Sequence, residues 1–334
     1  MKHLLKLATA LLCLTPLATA SFASDKPVLT IYTYDSFASE WGPGPVIEKA
    51  FEAECACDLK FVALDSSIGI LGRVQIEGAG SAADIVLGLD TNLTSIARET
   101  GLFAPHGAES KANNLPIAFS DDVFLPFDWG NFAFVYDTTR LSSPPSSFEK
   151  LINSSADLKI AIQDPRTSTP GLGLLLWMKS VYGDQAAAKW AALQPKILTV
   201  TKGWWDSYSL FLEGEADMVL SYTTSPAYHM IAEGKSNYAA AAFSDGHYAQ
   251  IEVAAMMKSA RQPELARQFM AFIHSPEFQQ VIPTTNWMYP VTKAAVPAEF
   301  DSLVQPERQF LYTAEDVAAN KAAWVEEWLK ASQN

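Results

Sequence analysis

The stretch 160–165, Ile-Ala-Ile-Gln-Asp-Pro, runs directly into 166–170, Arg-Thr-Ser-Thr-Pro, so that a short apolar strand meets a hydroxyl-rich turn and then a proline. The same construction recurs at 216–222, which is followed by Thr223-Thr224-Ser225-Pro226. In both turns we expect Ser or Thr at the N-cap of a helix and proline at its first position, where the missing N–H costs nothing. Two helix starts at strand ends, with free N–H groups and a positive dipole end, predict one polar pocket suited to a phosphate or another anion.

The rest of the chain extends this alternation of strands and helices. Residues 28–34, 59–64 and 84–89 are strand-like, and each is followed by a helical pattern, which favours an α/β fold with right-handed crossovers and a largely parallel sheet. Two longer extended stretches, 124–136 and 248–256, interrupt the alternation, and we expect them to carry the chain between two lobes. Two α/β lobes joined by two crossings describe a hinged binding protein with its ligand in the interlobe cleft.

The N-terminus predicts export. Lys2, His3 and Lys6 precede a largely apolar run at 7–17, and small residues allow cleavage after Ala20 or Ala23. A lipid anchor at Cys13 is disfavoured because the bulky Leu12 precedes it. The predicted divisions are a signal peptide (1–23), a first lobe (24–127 and 249–300), a second lobe (128–248) and a C-terminal helical segment packing on the lobes (301–334).

Charge and cysteine content narrow the classes of function. The net charge of −13 becomes −15 when the two signal-peptide lysines leave, which argues against nucleic acid and anionic membranes as partners. Only Cys55 and Cys57 remain after cleavage, and an oxidising compartment permits a structural disulfide between them. A metal site there would need more ligands than the neighbouring Glu52, Glu54 and Asp58, which look like a solvated helix end.

Hydroxyl-bearing residues in the two turns are the first candidates for ligand contacts: Ser168, Thr169, Thr223, Thr224 and Ser225. The alternative is that they only satisfy the free N–H groups of each helix start, and this alternative is strong for any single turn. Two equivalent turns at strand ends of one lobe favour a shared role in binding.

Aromatic residues in turns and glycine- or proline-rich loops form a second group of candidates: Tyr34, Trp41, Trp204, Trp205, Tyr222, Trp287 and Tyr289. Several rings in one cleft would suit a flat heteroaromatic ligand or a cation held over ring faces, although large rings are also buried for packing alone. Acidic residues near strand ends, among them Asp35, Asp65 and Asp128, could pair with a cationic ligand. Most such residues cap helices or face water.

Patterns of catalysis are missing from the sequence. Four histidines remain after the signal, at positions 106, 229, 247 and 274, and they have no zinc-type spacing. The sequence has no Gly-x-Ser-x-Gly turn, Walker loop or dinucleotide-binding glycine motif. We therefore predict a binding protein and not an enzyme, with no catalytic residues, metal or cofactor beyond the transported ligand.

Six stretches of the chain resemble a known family. They are 32–37 (YTYDSF), 41–45 (WGPGP), 83–90 (ADIVLGLD), 163–174 (QDPRTSTPGLGL), 221–229 (SYTTSPAYH) and 286–290 (NWMYP). The family is that of the bacterial periplasmic thiamine-binding proteins, the substrate-binding components of thiamine ABC importers. The resemblance covers essentially the whole chain after the signal, and the two long stretches are its most specific part.

The resemblance implies a two-lobed periplasmic binding protein fold of type II, a periplasmic location, and capture of thiamine and its mono- and diphosphate for an inner-membrane ABC permease. It also implies the ligand contacts Ser66, Ser67, Ser168, Thr169, Trp204, Tyr222, Thr223, Thr224 and Ser225. Tyr34, Trp41 and Trp287 are added on chemical grounds, because thiamine carries an aminopyrimidine and a cationic thiazolium ring. We expect a monomer. The alternatives are a binding protein for another small organic cation, such as a polyamine, and an exported thiamine-modifying enzyme.

Overall fold

The computed structural model describes residues 26–332, and the predicted signal peptide lies outside the described residues. The strands are β1 Val28–Tyr34, β2 Asp58–Leu64, β3 Ile85–Asp90, β4 Phe103–Ala104, β5 Phe124–Asp137, β6 Ile160–Gln163, β7 Ile197–Thr201, β8 Met218–Tyr222, β9 Tyr238–Ala240, β10 His247–Met257, β11 Tyr289–Pro290 and β12 Gln309–Phe310. The helices are α1 Asp35–Ala38, α2 Gly44–Cys55, α3 Ser67–Glu77, α4 Thr94–Glu99, α5 Phe148–Ile152, α6 Thr169–Tyr182, α7 Ala186–Leu193, α8 Trp204–Leu212, α9 Ser225–Ala232, α10 Pro263–Phe272, α11 Pro276–Gln279, α12 Ile282–Thr285 and α13 Ala314–Ala331. In this range no helix combines the length and the apolar character that a membrane span requires.

The strands join in the order β2-β1-β3-β10-β5-β8-β6-β7. At one end β1 pairs in parallel with β2 and β3, and at the other end β6 pairs in parallel with β7 and β8. The two central strands, β5 and β10, are antiparallel to each other and to their outer neighbours. The sheet is therefore more mixed than predicted, because the chain leaves one half along β5 and returns along β10 in the opposite direction.

The two central strands, β5 and β10, coincide with the two long extended stretches of the sequence. Residues 124–131 of β5 pair with β10, and Phe132 to Tyr136 pair with β8 instead. All residues of β10 are buried, which agrees with the continuous apolar run expected of a strand covered on both faces. The halves of the sheet thus meet along β5 and β10.

Both featured turns open helices as predicted, with one correction. Ser168 is the N-cap of α6 and Thr224 is the N-cap of α9. Pro170 and Pro226 occupy the second helical position and not the first, because the preceding Thr169 and Ser225 are already helical. Neither N-cap side chain accepts a hydrogen bond from its own helix.

Glycine lets α6 lie directly on the central sheet. A Cβ atom at Gly173 would overlap the ring of Phe132 in β5, and a Cβ at Gly171 would come within 2.5 Å of the Gln163 carbonyl oxygen. The first turn of α6 therefore packs against the strand ends without any intervening side chain, and the Ser168–Thr169 segment is held at the edge of the sheet.

Aromatic packing and one covalent link complete the fold. Fully buried Trp177 of α6 packs against Phe134 and Phe148, and its indole N–H donates to the Gly246 carbonyl at 2.9 Å. A disulfide joins Cys55 and Cys57 between α2 and β2, as the oxidising compartment permits. Helix α13 contacts α4 from the first half of the chain as well as α6 and α7 from the second.

Candidate functional site

A cavity of about 220 Å³ lies where the strand ends and helix starts of the two halves face each other. Its wall comes from the residues after β1 and β2, the starts of α6, α8 and α9, one residue of β10, and the segment that follows α12. The topology thus brings together residues that are up to about 250 positions apart in the chain.

Ten of the twelve predicted ligand residues line this cavity: Tyr34, Trp41, Ser66, Ser67, Ser168, Thr169, Trp204, Tyr222, Ser225 and Trp287. The other two, Thr223 and Thr224, are fully buried outside its wall. The Thr223 N–H donates to the Asn131 carbonyl at 2.8 Å, so pairing with β5 continues past the end of β8 and turns both hydroxyls inward. Among the described residues these two hydroxyl oxygens have no hydrogen-bond partner.

Direct contacts between the halves close one side of the cavity. The Thr169 N–H donates to Ser67 Oγ at 3.0 Å, and the two hydroxyl oxygens lie 2.8 Å apart. Beside them, the Ile68 N–H donates to the Thr167 carbonyl at 3.2 Å, and Lys202 forms an ion pair with Asp65. Ser67 is therefore the point where the first half meets the start of α6.

Hydrogen bonds fix most of the polar wall. Tyr222 OH donates to Gln250 Oε1 at 2.6 Å, and Gln250 Nε2 donates to Thr169 Oγ1 at 3.0 Å. Ser225 Oγ accepts from the Tyr222 N–H at 3.1 Å. The hydroxyl of Ser168 differs, because it lines the cavity and has no partner in the described part of the chain. It is available for a ligand.

Aromatic rings form the remaining wall and the mouth. Trp204 stacks on Tyr208 with 4.9 Å between ring centroids, and its indole N–H donates to Ser221 Oγ at 2.8 Å. At the mouth, Trp41 and Trp205 lie 5.2 Å apart and remain 46% and 41% exposed. These rings offer flat apolar faces to a planar ligand.

Trp287 occupies a strained backbone position. Its φ of +57° is left-handed, which is a genuine outlier for a bulky residue. The Trp287 N–H donates to the Ile282 carbonyl at 3.0 Å, and the ring packs edge-on against Tyr228 at 5.3 Å. A strained backbone conformation of this kind persists only where the surrounding contacts hold it in place, and such positions cluster at functional sites. Here it turns the indole toward the cavity.

The charged side chains on the described wall are all acidic: Asp35, Asp65 and Glu252. Burial raises the pKa of Asp35, whereas the hydrogen bond from Lys202 lowers the pKa of Asp65. Burial and the facing Asp128 carboxyl raise the pKa of Glu252 well above its usual range. Because no lysine, arginine or histidine lines the cavity, its electrostatics favour a cation.

Several wall residues were missed by the sequence analysis, among them Tyr208, Tyr228, Glu252 and Asn286. Tyr208 and Tyr228 lie within helices, where an aromatic residue is usually part of the core. Glu252 had a usable signal, since it is the lone acid within the apolar run 248–257. An ionisable residue inside a fully buried strand needs a partner or a function.

A ligand cavity between two halves of a mixed sheet, joined by two crossing strands, defines a class of solute-binding protein. The model of the family described as "Bacterial extracellular solute-binding protein" matches residues 43–280 of this chain. The chain belongs to that family and, within it, to the thiamine-binding periplasmic proteins. The resemblance stated from the sequence is thereby confirmed, as are the periplasmic location and the prediction of a solute-binding protein and not an enzyme.

The relatives that establish this are similar over nearly their full length. The thiamine-binding periplasmic protein of Escherichia coli is 55% identical over 321 residues, which are 96% of each chain. The protein of that name from Haemophilus influenzae is 44% identical and covers 93% of this chain and 94% of its own.

Solved structures agree with the fold. A "Periplasmic thiamin binding protein" superposes with a TM-score of 0.90 at 54% identity, covering 96% of this chain and 99% of its own. The periplasmic binding protein AfuA of Actinobacillus pleuropneumoniae shares the fold alone, with a TM-score of 0.79 at 18% identity, covering 92% of this chain and 99% of its own. The predicted periplasmic binding protein fold is confirmed.

Proposed function

We propose that this protein captures thiamine in the cleft between its lobes and delivers it to an inner-membrane ABC permease. The observation that carries the proposal is a cavity with stacked aromatic faces whose charged wall residues, among those described, are carboxyls. A flat ring system with a fixed positive charge matches both features. The thiamine-binding relatives support the choice of ligand over a polyamine, which lacks rings.

For this mechanism we propose the lobes that the sequence predicts: 24–127 with 249–300 as the first, 128–248 as the second, and 301–334 packing on both. The change of partner in β5 between Asn131 and Phe132 supports a boundary near this point. The contacts of α13 with helices of both lobes support the position of the C-terminal segment. In this arrangement closure of the lobes encloses the ligand.

The central test is binding of thiamine by the purified protein. Four tryptophans line the cavity, so thiamine should change the intrinsic fluorescence and saturate at micromolar concentrations or below. Isothermal titration calorimetry should give one site per chain. Spermidine serves as the control for a cation without rings. Absence of binding for thiamine, or equal binding of spermidine, would contradict the proposed function.

We extend the proposal to thiamine mono- and diphosphate, with the phosphate at the start of α6. The unpartnered Ser168 hydroxyl and the positive end of a 14-residue helix support this position. A hydrogen bond to a charged group is worth about 1.5–3 kcal/mol. The Ser168→Ala variant should therefore bind thiamine monophosphate roughly 10- to 150-fold more weakly and bind free thiamine almost normally.

Thr224→Ala is the matched control for this comparison, because Thr224 lies at the other helix start but outside the cavity wall. It should change the affinities for the two ligands by the same factor. If Ser168→Ala also weakens both ligands equally in calorimetric titrations, the phosphate lies elsewhere.

A further inference from the structure

Three carboxyl groups form a row across the central strands beside the cavity. Glu252 of β10 stands directly opposite Asp128 of β5 on one side and opposite Asp90 of β3 on the other. Asp128 and Asp90 are fully buried, whereas Glu252 is 5% exposed and lines the cavity. Glu252 is therefore the member of the row that a ligand can reach.

The immediate surroundings of Glu252 and Asp128 supply donors but no cation among the described residues. Tyr34 OH donates to Glu252 Oε2 at 2.9 Å, and Asn286 Nδ2 donates to Asp128 Oδ2 at 2.6 Å. The other groups that face the pair are Asp90 and the phenol of Tyr222. The one nearby cation, Lys321 of α13, acts on Asp90.

One oxygen of this cluster lacks a partner. Asp128 Oδ1 is fully buried, and among the described residues no group donates a hydrogen bond to it. Glu252 stands opposite Asp128 in the pairing of β10 with β5, and burial together with the Asp128 carboxyl raises the pKa of Glu252. A proton on Glu252 would therefore find an acceptor in the Asp128 carboxylate. Two carboxyls in contact at a buried site do not both ionise without a compensating charge. The pair therefore holds one proton until a positive charge arrives from outside.

We propose that Glu252 recognises the positively charged ring of the ligand, and that the proton it shares with Asp128 leaves to the solvent as the cation enters. This inference rests on the proposed function, since it assigns the ligand's charge to one residue of the same cavity. The bound cation then supplies the positive charge that allows both carboxyls to ionise. No other group in the immediate cluster supplies that charge.

The first test compares two ligands that differ in charge. Thiamine and 3-deazathiamine, in which a neutral ring replaces the thiazolium, are titrated into wild type and Glu252→Gln. The variant should bind thiamine at least about tenfold more weakly and bind the neutral analogue almost normally. Glu52→Gln makes the same chemical change on α2, away from the cavity, and should bind both ligands like wild type.

The second test measures the proton. Calorimetric titrations of thiamine at pH 7 in phosphate and in Tris, whose ionisation enthalpies differ, should show release of up to one proton per ligand for wild type. Glu252→Gln should release none. Asp128→Asn keeps the Glu252 carboxylate but removes the carboxyl with which it shares a proton. This variant should retain the preference for thiamine over the neutral analogue and should release fewer protons than wild type on binding thiamine. Thermal melts confirm that each variant is folded.

The outcomes are distinct. If Glu252→Gln loses the same affinity for both ligands, Glu252 contacts a part of the molecule that the two ligands share. If the variant binds both ligands like wild type, Glu252 takes no part in recognition. Either result overturns the inference. Proton release that persists in Glu252→Gln also overturns it. A wild-type protein that fails to bind thiamine overturns the proposed function itself.

Discussion

Replacing Gly88 with alanine should lower the free energy of unfolding by roughly 2–5 kcal/mol and remove most of the thiamine binding. Gly88 lies in β3 with φ of +108°, a conformation that an L side chain rarely adopts. A Cβ at this position would come within 2.5 Å of Tyr34 Cε1. The variant therefore strains the backbone and displaces the Tyr34 ring, which lines the cavity and donates to Glu252.

Urea denaturation and thiamine titration of the same preparations measure both effects. Gly72→Ala is the control, because Gly72 lies within α3 and, apart from its chain neighbours and the backbone of its own helix, no atom is within 4 Å of its added Cβ. Alanine is preferred to glycine inside a helix by about 0.5–1 kcal/mol, so this variant should be as stable as wild type or slightly more stable. A Gly88→Ala protein with normal stability would show that Tyr34 is not held by this close approach.

Replacing Trp204 with alanine should weaken thiamine binding by roughly 5- to 150-fold, because stacking of a flat base on an aromatic side chain is worth about 1–3 kcal/mol. The ring is fixed from both sides, by Tyr208 beneath it and by the hydrogen bond from its indole to Ser221. A rigid ring loses little entropy when the ligand stacks on it. Trp204→Phe should recover a large part of the affinity.

The neighbouring Trp205 provides the control for this substitution. It lies at the exposed mouth of the cavity, where contact with a ligand is partial, so Trp205→Ala should lose much less affinity. Calorimetry of the three variants, together with thermal melts, separates binding from stability. Normal affinity in Trp204→Ala would place the ligand rings on another wall.

Local sequence patterns were sufficient to predict most of the fold. The alternation of strands with capped helices predicts both halves of the sheet, and the long extended stretches predict β5 and β10. The direction of these two strands was not predictable in the same way, because a continuous apolar run looks alike in parallel and antiparallel pairing. The position of each proline in its helix depends on whether the residue before it is already helical. Sequence patterns do not locate a helix start to within one residue.

Residues of the cavity wall were predictable from the sequence where they follow strands. Ser168, Thr169 and Ser225 were found because parallel strands bring the turns at their ends together. Thr223 and Thr224 share that pattern but lie outside the wall, since pairing of β8 with β5 extends one residue further. Glu252 was missed because its neighbours in the cavity come from distant segments, and only the register of three strands assembles them.

The paired indoles at the mouth have a practical consequence. Trp41 belongs to the segment before α2, whereas Trp205 belongs to α8 in the other half of the chain. Chromophores this close couple their electronic transitions, and the coupling declines steeply as they separate. An opening of the proposed cleft that separates the two indoles would therefore change the far-ultraviolet circular dichroism, and such a movement could be followed in the native protein without attaching a label.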